Sequence, residues 1–101
     1  MSTIRHDIED IKRILNANLG LMQEKYGLKS IGIFGSYIHG EQKQDSDLDV
    51  LVEFEKPIGF FKFLEFEEYL SDLLKVKVDL VSKKALKPRI GKRILEEAIF
   101  L

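Results

Sequence analysis

The chain has 101 residues, 45% of them apolar and 33% charged, a composition that suits one globular domain over residues 1–101 and is too short for two. A formal net charge of −1 supplies no general attraction to nucleic acid, and the absence of cysteine removes a disulfide framework. No stretch reads as a membrane span or a secretory signal, so a cytoplasmic location is the expectation.

Ile8, Ile11, Ile14, Leu15, Leu19 and Met22 recur at near-helical spacing with Gly27 as a stop, which predicts one helix over about residues 6–26. That helix serves packing, and His6 on it receives no role. Ser30 to Phe34 reads as the first strand, Ser36 to Gly40 as a short helical turn, and Asp47 to Phe54 as the second strand, after which Pro57 and Gly59 break the chain. A helix over about 60–75 presents Phe63, Phe66, Tyr69, Leu70, Leu73 and Leu74 as one apolar stripe opposite Glu65, Glu68, Asp72 and Lys75. Phe61 falls among those charges, with Phe60 and Leu64 at the edge. Either the first turn exposes a partner surface, or the helix starts late and these residues plug the core from a loop.

Val76 to Ser82 reads as a third strand, alternating at its start. Pro88 suits the first position of a last helix whose apolar side is Ile90, Ile94, Leu95 and Ala98. From Lys75 to Arg93 stand eight basic residues and one acid, Asp79, which is either a solvated face or a contact surface for a triphosphate or a partner. The order of elements predicts an α/β fold with a small mixed sheet flanked by helices.

The chemistry concentrates in Gly35-Ser36, ten intervening residues, and Asp47-Leu48-Asp49. Alternate side chains of a strand share a face, so Asp47 and Asp49 aim two carboxylates one way. Upstream, Ile31 to Phe34 ends in Gly35-Ser36, where little side-chain bulk lets backbone N–H groups approach a phosphate. Asp79 is the one acid of an apolar third strand, and a buried ionised acid is costly unless paired or metal-bound. If the second and third strands are neighbours, Asp47, Asp49 and Asp79 form a set of hard oxygen ligands of the kind magnesium takes. Asp45 continues the period-two series but falls in the preceding loop, as a solvated or orienting group.

These residues resemble the signature of the DNA polymerase β nucleotidyltransferase superfamily: Gly-Ser, a spacer, and Asp-x-Asp on the next strand. Within it the chain is similar to the minimal nucleotidyltransferases, small proteins that consist of the catalytic core. Gly35-Ser-Tyr-Ile-His-Gly-Glu41, Ser46-Asp-Leu-Asp-Val-Leu-Val52 and Ile94-Leu-Glu-Glu-Ala98 carry the resemblance across nearly the whole chain. One departure is His39, which precedes Gly40 where many relatives have Arg. A protonated imidazole can donate to phosphate in its place.

The resemblance implies that a hydroxyl attacks the α-phosphorus of ATP, with two magnesium ions bridged by Asp47 and Asp49. Asp79 would complete the catalytic ion's shell, and Gly35 and Ser36 would hold the β- and γ-phosphates. It also implies an acceptor, since minimal nucleotidyltransferases accompany HEPN-family toxins and in some systems adenylylate a toxin tyrosine, acting as a type VII antitoxin. Transfer to a small molecule such as an antibiotic is the enzymatic alternative. A noncatalytic antitoxin acting by occlusion is the other, and three retained acids argue against it. An Asp-x-Asp glycosyltransferase fails on size. The expected partners are a HEPN-family toxin and ATP, with no membrane and no strong nucleic-acid signal, and a homo-oligomer is a further arrangement for the Phe61 patch.

Overall fold

A computed structural model describes residues 7–40 and 46–101 of the chain. His6 and Asp45 lie outside the described residues. The first elements are α1 (Ile8–Ala17) and α2 (Leu19–Tyr26), two helices where the apolar spacing predicts one. Asp7 caps α1, its carboxylate accepting from the Asp10 N–H at 2.9 Å. The break falls at Asn18, whose side-chain amide donates to the Ile14 carbonyl at 2.9 Å while its backbone leaves the helical region. Asn competes in this way for backbone partners, and hydrophobic period alone does not register it. Gly27 then ends α2 in the left-handed region at φ +72, its N–H donating to the Gln23 carbonyl at 3.0 Å.

β1 (Leu28–Phe34), β2 (Leu48–Phe54), β3 (Val78–Ser82) and β4 (Ile99–Phe100) form one mixed sheet in the order β3-β2-β1-β4. β1 runs antiparallel to β2 and β4, and β2 runs parallel to β3. α3 (Phe60–Leu74) is the crossover that the parallel pair requires. Phe60 opens α3 as expected, and β3 begins two residues later than the alternation suggests.

Alternation along the strands sorts the two sheet faces. Ile31, Ile33, Leu48, Val50, Val52, Val78 and Leu80 point to one face and pack with Ile11, Leu15, Met22, Tyr26, Phe66, Leu70 and Leu74 of the helices. Phe66 has no exposed surface, and its ring lies 4.5 Å from that of Tyr26 and 5.8 Å from that of Phe54, centroid to centroid. Phe66→Ala leaves a cavity where three elements meet. Such truncations cost about 3–5 kcal/mol, against a whole-domain stability of about 5–15 kcal/mol, so urea unfolding should show a large drop in midpoint.

The second face carries a different pattern. Phe100, Gly32, Leu51 and Val81 make one row across all four strands. A side chain at Gly32 would collide with the Phe100 ring, at 2.8 Å from Cδ1, so glycine makes room for the short last strand. That strand departs from the sequence expectation. α4 (Pro88–Glu97) ends before Ala98, and Leu101 N–H then donates to the Ile31 carbonyl at 3.0 Å. The open β1 edge takes up the chain end, a pairing that local periodicity does not reveal. Of α4, only Gly91 is buried, and Ile90 and Leu95 remain exposed.

Candidate active site

Strand pairing brings the acids together. Asp49 lies directly opposite Asp79 in the parallel β2–β3 ladder, and opposite Phe34 in the antiparallel β1–β2 ladder. The row Phe34, Asp49, Asp79 therefore borders the apolar row Gly32, Leu51, Val81 on the second sheet face. Asp47 precedes β2 and shares the face of Asp49 by alternation. Its neighbour Leu48 anchors that end of the strand, its N–H donating to the Lys77 carbonyl at 2.8 Å.

The three acids differ in environment. Asp49 is half-buried, whereas Asp47 and Asp79 are exposed. The exposure of Asp79 corrects the expectation of a buried acid, because among the described residues β3 is an edge strand with a neighbour on one side alone. The electrostatic load falls on Asp49 instead. Burial first, then the carboxylates of Asp79 and Asp47, push its carboxyl above the ordinary value of 3.8. Lys77 Nζ stands 3.9 Å from Asp47 Oδ2, an exposed pair that solvent screens.

The Gly35-Ser36 turn meets this row where β1 ends. Gly35 has φ +83, and a Cβ there would run into the Asp49 carboxylate. Glycine thus serves both the left-handed backbone and the close approach. Gly35–Tyr37 form a 3-10 turn closed by the Ile38 N–H, which donates to the Gly35 carbonyl at 3.1 Å. The start of such a turn has N–H groups without partners inside it, and these are the groups a phosphate can engage.

Two contacts have no counterpart in the sequence reading. Tyr37 is buried, and its phenol is pushed above 10.0 by burial and then by Asp47, which puts the ring beside the acid row. An aromatic residue after Gly-Ser carries no spacing signal that sets it apart from ordinary core. His39 Nε2 lies 3.6 Å from Glu97 Oε2, and Arg93 Nε lies 3.6 Å from Glu97 Oε1. In place of a phosphate, the imidazole considered above as a donor faces a carboxylate of α4. Residues 39 and 97 are far apart in sequence, so only the fold reveals the pair.

The donor set suits a divalent cation: three hard carboxylates, one of them destabilised as an anion by burial and then by its neighbours. Among the described residues, no three His, Cys, Asp or Glu side chains are gathered closely enough to hold a metal as they stand. Backbone register supplies the grouping, and side-chain rotation has to complete it. The two outer acids are exposed and have the room to turn.

A groove of about 610 Å³ lies elsewhere, lined by residues that include Phe54, Ile58, Phe60, Phe63, Leu80 and Ala85, and by none of the three acids. Among the described residues no helix is long and apolar enough to cross a membrane.

Comparison with known proteins agrees with this geometry. The chain is 47% identical over 94 residues to the protein adenylyltransferase MntA of Thermococcus cleftensis, covering 93% of this chain and 95% of that protein. Among solved structures, that of a minimal nucleotidyltransferase superposes with a TM-score of 0.80 at 38% identity, over 94% of this chain and 96% of the other. The MNT antitoxin solved in complex with the tri-AMPylated HEPN toxin of Shewanella oneidensis shares the fold, with a TM-score of 0.65 at 20% identity over 89% of this chain and 70% of that one. The nucleotidyltransferase domain family matches residues 15–101. With its Gly-Ser turn against an acidic strand row on a polymerase β-like sheet, the chain belongs to the nucleotidyltransferase domain family, in its minimal form, and is an enzyme of that class.

Proposed function

We propose that the chain is a magnesium-dependent protein adenylyltransferase that moves AMP from ATP to a tyrosine hydroxyl of a HEPN-family toxin and so acts as its antitoxin. The observation that carries this reading is the register of Asp49 against Asp79 next to the Gly35 turn. The named activity of the Thermococcus relative supports protein as the acceptor, and the AMPylated toxin bound to the Shewanella antitoxin supports the class of that protein.

In this reading Asp47, Asp49 and Asp79 hold magnesium, which supplies charge neutralisation at the triphosphate and at the attacking oxygen. Gly35 and Ser36 bind the β- and γ-phosphates through backbone N–H groups. The hydroxyl oxygen forms a bond to the α-phosphorus, the bond from that phosphorus to the bridging oxygen breaks, and pyrophosphate leaves with the electron pair. Asp79, exposed at the sheet edge, accepts the hydroxyl proton.

The test is to incubate the purified protein with ATP labelled at the α-phosphate, magnesium and a HEPN-family toxin protein. Label should appear on the toxin, disappear with EDTA and return with added magnesium. Toxin that is silenced without label would favour occlusion. Label on a small molecule but not on protein would favour the antibiotic-type alternative.

A further inference from the structure

Asp79 is the acid of the row with the least support from the sheet. It stands second in β3, a strand of five residues that among the described residues lies at the sheet edge. Edge strands fray readily, because the backbone groups on their outer side have no ladder partner. The chemistry proposed above nevertheless asks Asp79 to meet a cation and a proton at a fixed place.

The outer side of β3 is held by α3. The Lys77 carbonyl accepts from the Leu48 N–H and so faces β2, which turns the N–H of the same peptide, that of Val78, toward the free edge. There it donates to Ser71 Oγ at 3.0 Å. Two residues on, the Leu80 N–H points the same way and donates to Glu67 Oε2 at 2.9 Å. The spacings agree, since four residues of helix advance about 6 Å and two residues of strand about 6.6 Å. Glu67 and Ser71 share one side of α3, and they meet the strand in reverse order because the helix runs back against it. Val78 and Leu80 turn their side chains into the core, and Asp79 between them turns to the opposite face. The backbone on each side of Asp79 is therefore gripped from the helix as well as from β2.

We infer that Glu67 and Ser71 are positioning residues for Asp79, fixing the outer edge of β3 so that its carboxylate stays in register with Asp49. The inference rests on the reading of Asp79 as a magnesium ligand and proton acceptor, and adds what keeps it in place. Of the two, Glu67 carries more of the effect, because a carboxylate accepts a stronger hydrogen bond than a hydroxyl does. The same bonds occupy two donors that an open strand edge would offer to another chain.

The test uses the full chain. In the metal-free protein, amide exchange read by NMR should show the Leu80 N–H exchanging about tenfold faster in Glu67→Ala than in wild type. Magnesium titration followed at the Asp79 carboxyl carbon should show affinity about tenfold weaker in the same variant. With a HEPN-family toxin protein as acceptor, kcat should fall about tenfold, while KM for ATP, whose phosphates are assigned to the Gly35-Ser36 turn, stays unchanged. Glu67→Gln keeps an acceptor oxygen and should retain most of the magnesium affinity and rate. Ser71→Ala should shift both in the direction of Glu67→Ala, and Ser71→Thr, which keeps the hydroxyl, should not; this pair carries the test if Glu67→Ala does not fold. Adding Glu67→Ala to Asp79→Asn should cost no further magnesium affinity, because its effect passes through Asp79. Wild-type magnesium affinity and kcat in Glu67→Ala, or a Glu67→Gln variant as impaired as Glu67→Ala, overturns the inference. If Asp79→Asn is impaired while Glu67→Ala is not, the reading of Asp79 stands and the positioning role alone falls. Asp79→Asn with wild-type magnesium affinity and transfer removes Asp79 from the site and both readings with it.

Discussion

Asp49→Asn is expected to reduce AMP transfer about a thousandfold or more while making the metal-free protein more stable. A cation that neutralises developing charge supplies several kcal/mol to the transition state, and each ~1.4 kcal/mol is tenfold in rate. Asn keeps the shape and loses the charge, so the fold is preserved and the cation's hold is lost. The stability gain follows from the raised carboxyl of Asp49, which burial and the neighbouring Asp79 and Asp47 disfavour as an anion. In the metal-free protein the folded state binds this proton more tightly than the unfolded state does. Its contribution to stability is therefore fully present below the ordinary value of 3.8 and lost as pH rises through the elevated folded value. Above that window wild type carries the strain and Asp49→Asn does not. Thermal melts in EDTA should place the variant above wild type at neutral pH and bring the two together in acid. Added magnesium should raise the wild-type melting temperature and do little for the variant. Transfer at the wild-type rate in Asp49→Asn would end the metal reading.

Gly35→Ala is the second large effect, and Gly27→Ala is its control. Both positions have positive φ, +83 and +72, and an L side chain in that region costs about 1–2 kcal/mol. They differ in surroundings. A Cβ at Gly27 has nothing within 4 Å, whereas at Gly35 it meets the Asp49 carboxylate. Gly27→Ala should lower stability by the backbone term and leave transfer intact. Gly35→Ala carries the same backbone term and also has to displace either the turn or Asp49, so nucleotide binding and turnover should fall by about tenfold to a hundredfold. Parallel melts and nucleotide titrations on the two variants separate strain from collision. Equal activity in both would mean that the approach of Gly35 to Asp49 has no catalytic use.

Much of this molecule is local in origin. The strand-turn pattern around Gly35-Ser36, the alternation through Asp47 and Asp49, the Pro88 start of α4 and the Gly27 stop all depend on a residue's own conformational preference or on period, so the sequence by itself determined them. The family signature is legible for the same reason, since Gly35-Ser36 is read from the end of a strand run and Asp47-Leu48-Asp49 from the alternation that opens the next.

What the sequence could not decide depends on partners distant along the chain. The helix break at Asn18 is the local exception: its side-chain amide bonds to the Ile14 carbonyl four residues back, a competition that hydrophobic period does not register. The last strand exists because the β1 edge was available to Ile99 and Phe100 and because Gly32 leaves space for a ring. Pairing of β2 with β3 set Asp79 beside Asp49, and the edge position of β3 exposed Asp79 and shifted the burden of unfavourable charge to Asp49. Charge-to-charge distance and solvent access are properties of the assembled sheet. The outward position of Phe60 and Phe61 is of the same kind: period placed Phe61 among the charges of α3 and Phe60 at the edge of its stripe, and the packing of α3 on the sheet left both exposed.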